Sequence, residues 1–330
     1  MSGQYLLLGV DGGGSKTEAL LVDQAGQVIG FGQSGGSNHQ TIGLDTAIRH
    51  IREAAQQALA GRRAQYAAHC LAGADLPPDF ALLKPALTGL GLSEAFVLYN
   101  DVIAVFRAGS SQPFGMAVVC GMGFNAGGIS RDGCEERFPA LGAVTGDRAG
   151  GGYIGEAALG AAFRAWDGRG PVTCLQQDVM QALGADTMLA LAERLVQNQI
   201  THWQIAALTP LVFAAAARGD AVARGLIREQ GREIGTAILA ILRRLDLLDV
   251  SCQAVLGGSV FYGEGTLLMR TVRRAVRPFA PLVEIKRLDM RPVVGAALLA
   301  ADRAGIVTDQ AFAHALQASL PDELRLPGTI

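Results

Sequence analysis

The sequence lacks the charge imbalance and the long apolar runs that would point to a nucleic acid or a membrane. Its 330 residues include 28 basic and 30 acidic ones, and the formal charge of −2 gives no electrostatic footprint for a polyanionic partner. No stretch reaches the roughly 18 apolar residues typical of a membrane span. No cationic segment followed by an apolar run marks a signal peptide. We therefore expect a cytoplasmic protein with no nucleic-acid or membrane partner.

Cysteine is also scarce, and no two cysteines form a C-x-x-C pair. The chain has five, an odd number whose scattered spacing argues against a disulfide framework and favours reduced thiols: Cys70, Cys120, Cys134, Cys174 and Cys252. The histidines show no metal-ligand spacing either.

What the sequence does have is apolar periodicity over a length that suits two domains. Half of the residues are hydrophobic and 18% are charged, which is typical of a globular chain. Each half is predicted to start with three strands joined by tight turns, and helices and strands then alternate. The predicted strands are 5–11, 18–23, 27–32, 66–72 and 95–100, then 115–120, 124–130, 134–138, 252–256 and 282–288. The predicted helices are 43–60, 79–89 and one from Val102, then a helical region at 152–247 and helices at 264–277 and 292–304.

The repeated order suggests a duplicated α/β architecture with two mixed sheets flanked by helices. A nucleotide would then bind in the cleft between the two halves.

The stretch Gly9–Thr17 (GVDGGGSKT) resembles a P-loop but departs from it in two ways. Ser15 occupies the position of the P-loop lysine, and a strand rather than a helix is predicted to follow Thr17. Three glycines between two strands instead predict a hairpin whose backbone N–H groups can approach phosphate. We identify Gly12, Gly13, Gly14, Ser15, Lys16 and Thr17 as candidate phosphate-binding residues; a purely structural glycine hairpin is the alternative.

A second glycine turn, Gly121-Met122-Gly123, follows a predicted strand at the equivalent place in the second half. Two such turns facing each other could hold a polyphosphate from both sides. Asp11, at the end of the first strand, is a candidate for positioning Mg²⁺ brought in with ATP, although a turn-forming aspartate would look the same.

Asp101 follows the apolar strand that ends at Asn100. Ligands bind at strand carboxyl ends in α/β sheets, so Asp101 is a candidate general base; a helix N-cap is an equally good interpretation. Gly146-Asp147 is a second junction with one carboxylate.

Two other polar features have weaker interpretations. Asn38 and His39 lie in a predicted polar loop and could bind a polyol, whereas solvation alone would also explain them. The arginines at 270, 273, 274 and 277 are interpreted as a solvated helix face.

Taken in order, these motifs resemble one family over residues 5–302. They are similar to the N-acetylglucosamine kinase group, filed with the BadF/BadG/BcrA/BcrD-type ATPases in the actin-like, hexokinase and Hsp70 superfamily. Matching stretches are Val10–Thr17, Ser37–His39, Leu71–Asp75, Asn100-Asp101, Gly121–Asn125, Gly146-Asp147, Leu256–Val260 and Pro292–Ala297.

The resemblance implies two ribonuclease H-like (actin-like ATPase) domains, each with a mixed five-stranded sheet. The first would be 1–112 joined by the helix at 292–304, the second 113–291, with 305–330 as a tail. The resemblance further implies that the protein is a homodimeric enzyme that phosphorylates an amino sugar, usually at the 6-hydroxyl, with ATP and Mg²⁺.

The roles that the resemblance implies can be placed residue by residue. Asp101 would be the base and Asp11 the metal-positioning residue. The 12–17 hairpin and the 121–123 turn would grip the phosphates, and Gly257 and Gly258 would lie against the adenosine. The sugar pocket would include Asn38, His39, Asp75, Asn100, Phe124, Asn125 and Asp147.

The sequence departs from the family pattern at three positions. Met122 and Phe124 replace the hydroxyl residues of the usual Gly-Thr-Gly-Ser turn, and Arg148 replaces the acid of Gly-Asp-Glu-Gly. Two other functions therefore stay open: an ATPase that activates a partner enzyme, and a sugar or nucleotide sensor without catalysis. Scattered cysteines oppose the first, and Asp11 with Asp101 opposes the second.

Overall fold

The computed structural model describes residues 5–325 as an α/β protein with two five-stranded sheets. Sequence predictions that fall on residues 1–4 and 326–330 lie outside this range. Within it, no single helix is long and apolar enough to cross a membrane, and the one bent pair that passes by length and composition is His202–Ala217 with Ala221–Arg244.

The first sheet has the order β3-β2-β1-β4-β5, in which β1, β4 and β5 pair in parallel and β2 is antiparallel to both of its neighbours, β1 and β3. Its strands are β1 (Leu6–Gly12), β2 (Lys16–Asp23), β3 (Val28–Gly35), β4 (Ala64–Leu71) and β5 (Ser93–Asn100). Its helices are α1 (His39–Ile42), α2 (Leu44–Leu59), α3 (Pro77–Thr88) and α4 (Asp101–Gly109).

The second sheet repeats this topology with the order β10-β9-β6-β7-β8. Its strands are β6 (Gly115–Cys120), β7 (Phe124–Ile129), β8 (Glu135–Arg137), β9 (Gln253–Gly257) and β10 (Glu284–Arg287). The helices between them are α5 (Gly151–Trp166), α6 (Leu175–Ala182), α7 (Met188–Val196), α8 (His202–Ala206), α9 (Thr209–Ala217), α10 (Ala221–Arg244) and α11 (Leu267–Val276). The predicted fold class and duplication are therefore confirmed.

The chain ends with α12 (Pro292–Arg303) and α13 (Gln310–Ser319), and 3₁₀ turns cover Gly142–Thr145, Ser259–Tyr262 and Asp322–Leu324. Helix α12 packs against β1 and α4 in the first sheet. Backbones meet closely there: a Cβ on Gly9 would lie 2.2 Å from the Ala297 nitrogen, and one on Gly295 would lie 2.0 Å from the Ala104 carbonyl oxygen.

Strand β1 is apolar along most of its length because successive side chains point to opposite faces of the sheet, and both faces are buried. Leu7 faces the core shared with α4 and α12, whereas Leu6, Leu8 and Val10 face the core under α2 and α3. A strand buried on both faces needs apolar residues at every position, which is the pattern read from 5–11.

Two expectations need correction. Asn38 and His39 do not lie in a loop, because Asn38 caps the short helix α1 and His39 is its first residue. The tail after 304 forms α13, whose Phe312 and Leu316 are buried against the first sheet. Asp309 caps that helix by accepting a hydrogen bond from the Phe312 N–H at 3.0 Å.

Candidate active site

The turn between β1 and β2 presents exposed backbone at the carboxyl end of β1. Gly14 and Ser15 are exposed, and a Cβ on Gly14 would meet nothing within 4 Å. The turn is held from below because the Gly13 N–H donates to the Lys16 carbonyl (2.9 Å) and the Ser37 N–H donates to the Gly13 carbonyl (2.9 Å). The tip is therefore open to a ligand while its base is fixed.

Thr17 and Lys16 are engaged in contacts within the protein. The buried Thr17 hydroxyl lies 2.7 Å from the Gly35 carbonyl oxygen and 2.8 Å from the Ser37 hydroxyl. Lys16 pairs with the buried Glu18 at 2.6 Å, and Arg291 contacts the same carboxylate oxygen. Of the predicted hairpin ligands, Thr17 thus braces the strands, and Lys16 is 44% exposed beside a competing acid.

The second glycine turn, 121–123, occupies the position in the second sheet that 13–15 occupies in the first, since each joins the central strand to its antiparallel neighbour. The carbonyls of Gly121 and Met122 accept hydrogen bonds from the N–H groups of Gly151 and Gly152 at 2.7 and 2.9 Å. The N-terminus of α5 is therefore tied to this turn.

Glycine at 258 is required by close approach of β6. Its φ is +105°, and a Cβ there would lie 2.4 Å from the Cys120 carbonyl oxygen. The loop after β9 consequently lies directly against the second glycine turn. Gly257 is buried against Val105 of α4. The first exposed residue of this loop is therefore Ser259, which follows Gly257 and Gly258.

A cavity of about 740 Å³ opens beside the second turn, within the size range of small-molecule sites. Gly121 and Met122 line one side and Ser259 and Val260 another. The rest of the lining comes from α5, α8, α9 and the loop after β9, namely Gly151, Trp203, Ala206, Ala207, Thr209, Pro210, Phe213, Ala214, Tyr262, Gly263 and Glu264. The lining is largely apolar, as the flat face of a nucleoside base requires.

Asp101 lies at the carboxyl end of the first sheet beside the hairpin. Gly12 pairs in register with Leu71 of β4, and Leu71 pairs with Asn100 of β5, so three parallel strands end at one edge. Asn100, not Asp101, is the N-cap of α4, because its side chain accepts a hydrogen bond from the Val102 N–H at 3.1 Å. The N-cap interpretation of Asp101 is therefore wrong, although its carboxylate also has hydrogen bonds with the backbone N–H groups of Asp101 and Val102.

Burial and mutual repulsion raise the pKa values of three carboxyl groups at this edge. Burial, followed by the nearby Asp75 charge, raises the pKa of Asp101 from 3.8 to about 6. Burial, with Asp101 and Glu18 adding repulsion, holds the pKa of Asp11 well above its usual range. Burial also raises the pKa of Asp75.

A hydrogen-bond network joins the ends of the two sheets. The Asn100 amide donates to Asp75 Oδ1 at 2.8 Å, and the Asn125 amide of β7 donates to Asn100 Oδ1 at 3.2 Å. Arg137 of β8 donates to the Asp75 carbonyl oxygen and lies over the Phe80 ring at 5.0 Å. The structure thus brings together Asp75, Asn100 and Asn125 as a connected group.

Three buried polar atoms in or beside this network have no hydrogen-bond partner: Asn125 Oδ1, Arg137 Nε and His39 Nδ1. Buried polar groups are normally satisfied, and an orphan costs about 1–3 kcal/mol. A ligand with several hydroxyl groups would supply both donors and acceptors here.

Asn38 and His39 lie at the border of the same region. Gly73, two residues before Asp75, is so close to both that a Cβ there would be 2.5 Å from Asn38 Oδ1 and 3.3 Å from His39 Nδ1. His39 Nε2 is 3.1 Å from Asp79 Oδ1, which fixes the ring and leaves Nδ1 without a partner.

Two predicted sugar residues make other contacts in this structure. Asp147 lies in the loop with the 3₁₀ turn 142–145, where it accepts hydrogen bonds from the Gly142 N–H (2.8 Å) and the Thr145 hydroxyl (2.9 Å). Its described hydrogen bonds are all within that loop. Phe124 is buried in the core of the second sheet, so its side chain has a packing role.

The residues at the hairpin fit a magnesium ion. Mg²⁺ binds through one or two carboxylates and keeps several waters and substrate phosphates. Asp11 and Glu18 are opposite each other in the β1–β2 register, and Glu18 Oε2 is buried without a partner. Residues 5–325 contain no group of three or more His, Cys, Asp or Glu side chains that could hold a metal by themselves, so an ion carried in by phosphates suits this donor set.

The sequence does not reveal two kinds of residue at this site. Glu18 and Arg137 carry no motif; burial identifies Glu18, and the contact with the Asp75 carbonyl identifies Arg137. Trp203, Phe213 and Tyr262 belong to helical segments with no recognisable signal. Proximity in the fold is what brings them to the site.

Comparison with known proteins gives consistent matches. The profile of the BadF/BadG/BcrA/BcrD ATPase family matches residues 8–300. An N-acetyl-D-glucosamine kinase of Dictyostelium discoideum is 28% identical over 89% of this chain and 97% of its own. An N-acetylmuramic acid/N-acetylglucosamine kinase of Clostridium acetobutylicum is 26% identical over 77% of this chain and 85% of its own. A crystal structure of a protein assigned as an N-acetylglucosamine kinase, from Chromobacterium violaceum, has a TM-score of 0.61 at 26% identity and covers 90% of this chain and 99% of its own.

Proposed function

The chain belongs to the BadF/BadG/BcrA/BcrD ATPase family, and we propose that it is an ATP-dependent kinase for the 6-hydroxyl of N-acetylglucosamine or a related amino sugar. Relatives named as N-acetylglucosamine kinases, similar over most of their length, support the reaction class. The observation that carries the proposal is the position of Asp101, a buried carboxylate with a raised pKa beside a polar network that contains three unsatisfied atoms.

In this mechanism, Asp101 accepts the proton of the sugar hydroxyl as that oxygen attacks the terminal phosphate. A general base works best when its pKa lies near the working pH, and a pKa of about 6 leaves Asp101 ionised at neutral pH yet more basic than an ordinary aspartate. Phosphoryl transfer needs mainly positioning and charge stabilisation, so one well-placed base suffices.

The glycine turns hold the nucleotide. The backbone N–H groups of Gly14 and Ser15 in the first turn and of Met122 and Gly123 in the second bind the phosphates, because those of Gly13 and Gly121 are used within their own turns. The 740 Å³ cavity beside the second turn takes the adenosine. Asp11, with Glu18 opposite it in the β1–β2 register, would hold a Mg²⁺ ion brought in with ATP, which would supply charge neutralisation for the phosphates. Lys16 supplies a cation at the rim, held by Glu18.

The sugar is oriented by the network around Asp75. Asp75 accepts hydrogen bonds from ring hydroxyls, and Asn100 lines the pocket and holds the Asp75 carboxylate in place through its amide. Asn125 Oδ1 and His39 Nδ1 provide the buried atoms that the protein leaves unsatisfied. Asn38 fixes this corner by capping α1. Asp147 reaches the sugar only if its loop moves, because its carboxylate now closes its own turn.

We also propose the division into a first domain, 1–112 with 292–304, and a second, 113–291. Packing of α12 on β1 and α4 supports it. The cytoplasm is the proposed location, and a homodimer the proposed assembly. Closure of the two domains would exclude water from the phosphates and limit ATP hydrolysis.

Sugar-dependent ADP release tests the proposal. N-acetylglucosamine, glucosamine, N-acetylmuramic acid and glucose are each assayed with Mg-ATP, alongside 6-deoxy-N-acetylglucosamine, which lacks the acceptor hydroxyl. We expect one amino sugar to stimulate ADP release, its 6-deoxy form to fail, and Asp101→Asn to abolish the stimulation.

Asp246→Asn is the matched control. Asp246 is exposed with φ +56°, a conformation that asparagine also adopts, so this variant should keep full activity. If no sugar raised ADP release above the background, the kinase proposal would be wrong.

A further inference from the structure

Two adjoining cavities lie between α10 and α11, away from the residues assigned to catalysis. Their volumes are about 520 and 230 Å³. Five arginines line them, and we call this surface the arginine basin: Arg224, Arg228 and Arg232 of α10 with Arg270 and Arg274 of α11.

Helical spacing and close helix packing make the five side chains converge. The arginines follow one another at intervals of four residues on each helix, so they share a face and are about 6 Å apart along the axis. The helices come close because α10 has glycine at the contact: a Cβ on Gly231 would lie 2.6 Å from Thr271 Cβ, and one on Gly235 would lie 2.5 Å from Ala275 Cβ.

The charges of the basin are uncompensated. Over residues 5–325, none of the five guanidinium groups has an ion pair or a side-chain hydrogen bond, whereas Arg218 and Arg244 are paired with acids. Like charges four residues apart on a helix repel each other. One acid, Glu264, lines the smaller cavity, so the basin keeps a strong positive excess.

The N-terminus of α11 opens into the smaller cavity as a second source of positive potential. Glu264, Gly265, Thr266 and Leu267 line that cavity, and Thr266 makes no side-chain capping hydrogen bond. The first N–H groups of a helix attract anions, and Arg270 adds a cation in the same turn. Two independent features therefore favour the same kind of ligand.

We propose that the arginine basin binds a small phosphate-bearing anion. Guanidinium forks match phosphate oxygens in pairs, and three of them along about 12 Å of α10 can engage more than one phosphate group. The basin adjoins the 740 Å³ cavity, sharing Phe213 and Glu264 with it, yet it contains neither glycine turn. The proposal stands whether or not the chain is a sugar kinase.

Calorimetric titration with pyrophosphate tests the site. Arg232→Ser with Arg274→Ser removes one charge from each helix of the basin. The matched control is Arg243→Ser with Arg277→Ser. It removes one charge from α10 and one from the C-cap of α11, at exposed positions outside both cavities. We expect the basin variant to weaken binding about 10-fold or more and the control to leave it unchanged.

Equal affinity of the two double variants would overturn the proposal, because binding would then reside at the glycine turns. Absence of pyrophosphate binding to the wild-type protein would overturn it as well. Arg274→Lys keeps the charge but loses the fork, so it should give an intermediate affinity and serves if the double variant does not fold.

Discussion

Replacement of Asp101 by asparagine should stabilise the protein while it destroys catalysis. The change keeps the shape of the side chain and removes the base, so we expect kcat to fall roughly 10²- to 10⁴-fold. The same change removes a carboxylate that the fold disfavours. A pKa moved from 3.8 to about 6 corresponds to roughly 3 kcal/mol against the ionised form. Part of this is lost to relaxation, and we expect a gain of about 1–3 kcal/mol in the free energy of unfolding.

The gain must depend on pH in a defined direction. Because the folded-state pKa of Asp101 is raised, wild-type stability associated with this group is present below pH 4 and is lost as the pH rises through about 6. The variant should therefore equal the wild type near pH 4 and exceed it increasingly up to about pH 7. Urea unfolding at a series of pH values measures this difference in stability. For catalysis, the wild-type kcat/KM should decrease as the pH is lowered through about 6, because the base becomes protonated.

Two results would refute the reasoning. A variant less stable than the wild type at pH 8 would show that the carboxylate is favoured by its surroundings. A wild-type kcat/KM that stayed constant down to pH 5 would show that Asp101 is not the base. Asp246→Asn controls for the substitution itself, because that side chain is exposed.

Three other substitutions test the surrounding site. Asp75→Asn removes the charge that helps raise the pKa of Asp101, so the acid limb of the pH profile for kcat/KM should move to lower pH; an unmoved limb would contradict that coupling. Trp203 lies on the rim of the 740 Å³ cavity and is 69% exposed. Trp203→Ala should raise the KM for ATP about 3- to 10-fold and leave the KM for the sugar unchanged. The control Trp166→Ala, outside the cavity, should change neither KM. Gly258→Ala places a methyl group against the backbone of β6 at positive φ, and calorimetry should show a loss of roughly 1–3 kcal/mol or more; unchanged stability would mean that the loop can move away.

The sequence predicts the elements that have strong periodicity or glycine punctuation. An apolar run that ends at a glycine turn predicts strand β6 at 115–120, and the structure agrees to the residue. Both glycine turns follow central strands as predicted, since strand–glycine–strand is a local signal.

The tertiary environment decides the parts that the sequence does not predict. Asn38 looks like a loop residue until its side chain is seen to cap α1, and a single helical turn has too little periodicity to detect. Asp147 carries a recognisable motif, yet only the structure shows its carboxylate turned back on its own loop. Arg137 is an unremarkable basic residue in a three-residue strand until the fold brings it to Asp75. Arg270 and Arg274 are exposed, as expected of a solvated face, but α10 turns that face into a basin.

The packing of α12 has a consequence for synthesis of the chain on the ribosome. Strand β1 and helix α4 emerge early, but the helix that covers them is encoded after the entire second sheet. At about 5–20 residues per second, β1 waits roughly 15–60 s for its cover. During that interval its apolar face is open to chaperones or to other nascent chains. A chain released before residue 292 would lack α12, and one face of the first sheet would stay uncovered. Premature termination should therefore yield an aggregating product rather than a folded fragment.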